Sequence, residues 1–133
     1  MLEVVTLPVT DVDEALAFYT EQVGFGLDLD YRPTPDFRVT QLTPPGSACS
    51  IQLVTGTDRV RDLYLVTTDL VAEHAALTAR GVPVGAIRHK DRTDWTGGWL
   101  PGPHPERRDY ASFADFSDPD GNTWTLQERG FRH

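Results

Sequence analysis

The sequence predicts an α+β fold of two βαβββ modules, with curved mixed sheets around a cleft and the helices packed outside. Three observations predict it. Short strand-like runs are separated by Gly- and Pro-containing turns, and only two stretches carry a helical repeat of apolar residues. The order strand, helix, strand, strand, strand occurs twice. The halves also align residue by residue: "LPVTDV" (7–12) with "LVTTDL" (65–70), and "SIQLV" (50–54) with "TWTLQ" (123–127). Neither half is large enough to bury a good core alone. One domain over 1–133 is therefore expected, built of repeats at about 1–57 and 60–129.

The elements follow in order. "EVVTLPV" (3–9) reads as a strand. In "TDVDEALAFYTEQVGF", Thr10 or Asp11 caps a helix, and Glu14 stands three residues after Asp11 as in a capping box. Ala15, Phe18, Tyr19 and Val23 recur at helical spacing, and Gly24 is placed to stop the helix. Strands "FGLDLDY" and "FRVTQLT", the turn "PPGS" and the strand "CSIQLVT" complete the half. Pro45-Gly46 suits a type II turn, where Pro fixes the first central φ and Gly accepts a positive second one. In the second half "RDLYLVTTDL" is a strand running into a Thr-Asp cap, "VAEHAALTARG" a helix ended by Gly81, and "VPVGAI" a strand. After a long loop, "YASFADF" and "NTWTLQE" form a hairpin across "SDPDG", with turn chemistry from Pro119 and Gly121.

Composition narrows the function classes. Hydrophobic residues at 39% and charged residues at 24% fit a globular protein, not a disordered or membrane one. The first residues show no secretory pattern, and no apolar run is long enough to span a bilayer. The single cysteine, Cys49, excludes an intramolecular disulfide, so a reducing cytoplasm is the expected location. Acidic residues outnumber basic ones 20 to 12, for a formal charge of −8. A nucleic-acid binder concentrates positive charge, so neither nucleic acid nor membrane is expected as a partner. No phosphate-binding loop, dinucleotide motif, nucleophile elbow or paired-Cys zinc pattern occurs.

The repeat order, with "LPVTDVDEALAFYTEQVGF", "SIQLV", "LYLVTTDL" and "DPDGNTWTLQE", resembles the vicinal oxygen chelate superfamily. That group includes glyoxalase I, extradiol dioxygenases, fosfomycin-resistance enzymes and bleomycin-binding proteins. The resemblance implies a cleft whose metal ligands come from the first and last strands of each half, typically His, Glu or Gln. Carried over, those positions fall on Val4, Gln52, Asp62 and Thr125. Val4 has no donor atom, Gln52 offers a weakly ligating amide, Asp62 a short carboxylate and Thr125 a neutral hydroxyl. A divalent ion usually needs three or more protein donors. The set is poor, and neither a metal nor another cofactor is expected. Strand alternation turns Trp124 and Leu126 toward the helices and Thr123, Thr125 and Gln127 toward the cleft. Glu3 and Glu128 lie one residue out of phase and should point away.

Other residues could carry chemistry. Residues 88–110, "RHKDRTDWTGGWLPGPHPERRDY", have little periodicity and hold two of the three tryptophans, two of the four histidines and five of the twelve basic residues. Long irregular loops are often functional. Trp95 and Trp99 either stack on a planar ligand or anchor the loop. Arg107 or Arg108 either meets an anionic or carbonyl group or pairs with nearby Glu106 and Asp109 at the surface. His104, between prolines, is either a general acid or base or a solvated loop residue. Asp62 is either a partly buried base or ligand grip beside Gln52 and Tyr64, or a solvated strand end. Tyr110 completes the catalytic candidates.

Two functions follow, beside a third reading as an interaction module whose cleft is closed by side chains. The first is a metal-independent, homodimeric small-molecule binder that sequesters an antibiotic or natural product. The acidic composition matches a cationic or mixed aromatic ligand, held by Gln52, Asp62, Tyr64, Trp95, Trp99, Arg108 and Thr125. The second is a lyase, isomerase or dioxygenase-type enzyme. It would use either an altered metal site or metal-free proton transfer by Asp62, His104 or Tyr110.

Overall fold

The computed structural model describes residues 1–92 and 94–133. The chain is α+β and forms two compact units: Met1–Val60 with Asp118–Asn122, and Arg61–Ser117 with Thr123–His133. No helix among the described residues is long and apolar enough to cross a membrane.

In the first unit, β1 (Val4–Val9), β2 (Gly26–Thr34), β3 (Phe37–Thr43) and β4 (Ser50–Thr55) form a mixed sheet in the order β1-β4-β3-β2. β1 and β4 run parallel and the other pairs antiparallel. Between β1 and β2, α1 (Val12–Ala17) starts where the Asp11 carboxylate accepts the Glu14 N–H at 3.1 Å. The periodicity predicts one continuous helix. The structure instead widens to a π-helical turn over Phe18–Val23, ending at Gly24 with φ 93°. Within it the Thr20 hydroxyl takes the Leu16 carbonyl at 2.7 Å, a side-chain competitor for the helical ladder. Phe18, Tyr19 and Val23 are buried there, with Leu7, Val9, Leu42, Ile51 and Leu53 of the sheet. The opposite face of this sheet carries Thr6, Gln52 and Gln41 in one cross-strand row.

The turn Asp118–Asn122 belongs to this unit and is held by side-chain bonds. Tyr19 donates its hydroxyl to Asp118 at 2.7 Å. Asn122, fully buried, donates to the Pro8 carbonyl at 2.9 Å and to Asp118 at 2.8 Å, and accepts the Val60 N–H at 2.8 Å.

In the second unit, β5 (Leu63–Thr67), β6 (Arg88–His89), β7 (Leu100–Pro101), β8 (Ser112–Ser117) and β9 (Thr123–Glu128) are ordered β5-β9-β8-β6-β7. β5 and β9 are parallel, as β1 and β4 are in the first unit. α2 (Leu70–Ala79) is capped by Asp69, which accepts the Ala72 N–H at 3.1 Å. The alternation expected of β9 holds in part: Trp124, Leu126 and Glu128 are buried and Thr123 and Gln127 are half-exposed, but Thr125, expected on the open face, is only 5% exposed. Phe116 and Trp124 stack at 6.1 Å on the buried side. Tyr64 and Val66 pair with Thr125 and Gln127 and are exposed.

The expected strand "VPVGAI" is not formed. Pro83 lacks a donor, the Val84 N–H closes locally on the Val82 carbonyl at 2.8 Å, and only the Gly85 N–H reaches the Asp115 carbonyl. Pairing with β8 begins at Arg88. The stretch 88–110 is correspondingly more ordered than its sequence implies, because β6 and β7 pair antiparallel within it.

Candidate functional site

The face of the second sheet opposite α2 presents a polar chain and an aromatic cluster. β8 alternates, so Phe113, Asp115 and Ser117 share one face, opposite Gln127, Thr125 and Thr123 of β9. The Thr125 hydroxyl donates to the Asp115 carboxylate at 3.0 Å, and Asp115 pairs with Arg88 of β6 at 2.9 Å. The Arg88 guanidinium lies 4.5 Å from the Trp99 ring centre, and the Lys90 ammonium 4.6 Å from the same ring. Trp95 and Trp99 each meet Phe113 edge to face, at 5.5 and 5.4 Å. Phe113 is therefore only 3% exposed, while the two indoles that cover it remain 47% and 46% exposed. The structure has the anchoring reading of the tryptophans: each ring packs against Phe113, and Trp99 also carries Arg88 and Lys90, while both residues keep about half of their surface exposed.

The loop is held by local bonds. Trp95 sits at φ 64°, a left-handed conformation costly for a bulky residue. Next to it, Thr96 donates its hydroxyl and its N–H to Asp94, holding that carboxyl below its usual range. Trp95 also lines a pocket of about 220 Å³ with Lys90, Arg92, Arg108, Asp109, Tyr110 and Ala111. The Arg108 guanidinium donates to the Asp91 carbonyl at 3.2 Å, and the Tyr110 hydroxyl accepts from Arg129 at 3.1 Å.

Tyr64, Trp95, Trp99 and Thr125 thus belong to one side of the second unit, with Arg108 and Tyr110 meeting Trp95 in the pocket. Gln52 lies in the first unit, half-buried, and donates its amide to Gln41 at 3.0 Å. Of the two readings of Asp62, the structure has the solvated strand end. It precedes β5 at φ 59° and is exposed rather than partly buried. It lines a hollow of about 480 Å³ with Arg61, Asp115 and Thr123, and its own N–H is taken by the Thr123 hydroxyl at 2.7 Å.

His104 is not a solvated loop residue. It is 4% exposed, its Nδ1 accepts the Glu106 N–H at 3.0 Å, and its ring meets His89 edge to face at 5.7 Å. Burial, then Arg108 and His89, lower its pKa below the ordinary 6.5. The unfolded chain therefore binds a proton more readily, and stability should fall as pH drops below about 6.5. Urea midpoints at pH 7.5 and pH 5 should differ more in the parent protein than in His104→Asn, which keeps an acceptor without titrating. Equal midpoint differences in the two proteins would refute the assignment.

Arg107 corrects another expectation. It pairs with neither Glu106 nor Asp109. It makes a two-pronged bond to the fully buried Glu128, at 2.8 and 2.6 Å, and reaches Asp69 at 3.3 Å. The sequence reading missed Arg88, Lys90, Phe113 and Asp115 as site residues. The alternation of "SFADF" against "NTWTLQ" already places Phe113 and Asp115 on the face of Thr125.

The four positions carried over from the metalloenzymes do not fit a divalent ion. Val4 has no donor atom, the Gln52 amide is bonded to Gln41, Thr125 donates to Asp115, and Asp62 lies outside its strand. Among the described residues, no three His, Cys, Asp or Glu side chains are grouped to hold a metal.

Residues 2–126 match the family described as Glyoxalase/Bleomycin resistance protein/Dioxygenase superfamily. Among solved structures, the chain is similar to TnmS3, an antibiotic binding protein from Streptomyces sp. CB03234. The two are 32% identical with a TM-score of 0.70, over 96% of this chain and 94% of that one. A glyoxalase/bleomycin resistance protein from the same organism matches at 32% identity and TM-score 0.69, over 96% of this chain and all of the other (100%). A member of the same superfamily from Sphaerobacter thermophilus DSM 20745 matches at 26% identity and TM-score 0.71, over 97% of each chain. No curated protein matches.

Proposed function

The chain belongs to the Glyoxalase/Bleomycin resistance protein/Dioxygenase superfamily, and we propose that within it the chain is a metal-independent binder that sequesters a planar aromatic antibiotic or natural product without converting it. The observation that carries this reading is the pair of half-exposed indoles, Trp95 and Trp99, fixed on Phe113. Rigid aromatic surfaces of this kind bind flat ligands with little ordering cost. The similarity to a protein described as antibiotic binding supports the same reading. So does a donor set at the carried-over positions that lacks three metal ligands.

The contacts we assign to the ligand are Asp62, Tyr64, Trp95, Trp99, Arg108 and Thr125, all in the second unit. A homodimer and a cytoplasmic location belong to the same proposal. Exposed apolar residues on each unit support the dimer: Leu29 and Tyr31 on the first, and separately Tyr64 and Val66 on the second. Proton-transfer catalysis has weaker support, because the His104 ring is buried and its Nδ1 already accepts a backbone N–H.

Two measurements test the proposal. Elemental mass spectrometry after incubation with Fe(II), Mn(II), Ni(II) and Zn(II) should find far less than one ion per chain. A panel of planar aromatic antibiotics should contain a compound that raises the melting temperature of metal-stripped protein, since a ligand at 100 times its Kd adds about 2.7 kcal/mol. That shift should vanish in Trp99→Ala. Stoichiometric metal, or a thermal shift that depends on added metal, would overturn the reading.

A further inference from the structure

The charge around the indoles is opposite to that of the whole chain. The protein carries −8, yet the pocket beside Trp95 is lined by Lys90, Arg92 and Arg108 against a single acid, Asp109. The Asp109 carboxylate accepts the Gly130 N–H at 2.7 Å, and Arg92 pairs with Asp94 at 3.4 Å. Lys90 and Arg108 have no carboxylate partner among the described residues. Lys90 donates to the Gly97 carbonyl at 2.6 Å, and Arg108 to the Asp91 carbonyl at 3.2 Å. An ammonium has three donors and a guanidinium five, so each keeps donors unspent. Both are also held in place, Lys90 against the Trp99 ring and Arg108 against the chain at Asp91.

From this we infer that the pocket selects an aromatic acid: a flat ring system bearing a carboxylate or an acidic phenolate. The inference rests on the binding reading above and reverses the cationic ligand that overall composition implies. The ring lies against Trp95 and Tyr110, and the anionic oxygens bond to Lys90 and Arg108, both of which line the same pocket. Charge-assisted bonds of this kind are about twice as strong as neutral ones, and a carboxylate accepts the guanidinium fork that an amide cannot match. A pocket of about 220 Å³ accommodates one end of a ligand, so the remainder of a larger compound extends outside it.

The probes are 2-naphthoate, 2-naphthamide and 2-naphthylmethylammonium, titrated by calorimetry and tryptophan quenching at low salt. The parent protein should prefer naphthoate to naphthamide by about tenfold or more, with the ammonium weakest. In Lys90→Gln/Arg108→Gln that preference should shrink to about twofold while naphthamide binding is unchanged. Trp95→Ala should weaken all three, and near-UV circular dichroism should show each variant folded. Equal binding of acid and amide, or a preference surviving in the double variant, overturns the charge inference and leaves aromatic binding standing. Failure of all three probes to bind overturns both.

Discussion

Replacing Arg107 with methionine should lower the unfolding free energy by about 3–5 kcal/mol. Its partner Glu128 is fully buried and takes two of its bonds from that guanidinium. Methionine fills much of the space and supplies no cation, so the variant leaves a carboxylate in the core with only the Leu70 N–H at 2.8 Å. The pair also joins three elements: the end of the irregular stretch, β9, and the start of α2 through Asp69 and Leu70. Phe131 lies 3.7 Å from the guanidinium carbon and covers it. Replacing both partners, Arg107→Met with Glu128→Leu, should recover much of the loss, because two apolar groups leave no buried charge behind. A single-variant loss under about 1 kcal/mol, or no recovery in the double variant, would show that the pair is not sealed from water.

Asn122→Ala should cost about 2–4 kcal/mol. The alanine variant abandons the Val60 N–H, the Pro8 carbonyl and one bond to Asp118, all around a side chain with no solvent exposure. Asn122→Asp tests the same site differently. It keeps an acceptor for Val60, loses both donated bonds and puts a second carboxylate beside Asp118, so it should be at least as damaging. Urea midpoints with unchanged slopes would report these losses as stability. Losses within about 0.5 kcal/mol would mean the turn is a surface feature.

These two sites mark where the sequence stops being readable. Asp11 and Asp69 cap helices three residues away, and such local signals placed both helices. Alternation within "NTWTLQE" separated Trp124 and Leu126 from Thr125, because a period of two needs no partner to be seen. Arg107 and Glu128 are 21 residues apart, and Asn122 reaches Pro8 across 114. Nothing local distinguishes an Arg that pairs with Glu106 next door from one that pairs with a buried acid. "DPDGN" carries turn chemistry, which conceals its second role as a hydrogen-bonded core element.

The candidate site follows the same division. Trp95, Trp99 and Arg108 could be named from their concentration in one irregular stretch. Arg88 and Asp115 could not be paired without knowing that β6 joins β8, which depends on where Pro83 and Gly85 let pairing begin. Net charge and the charge of the pocket differ for a related reason. The former averages over the chain, whereas a ligand meets only the residues that line its pocket.

The central claim is that the protein holds an aromatic ligand intact and without metal. The most direct test is native mass spectrometry of chelator-treated protein mixed with planar aromatic antibiotics, followed by release and identification of the bound compound. The predicted result is one ligand per site, no metal in the complex and a released compound of unchanged mass. A released compound of altered mass, or a complex that forms only after a divalent ion is restored, would contradict it and identify the chain as an enzyme of its superfamily.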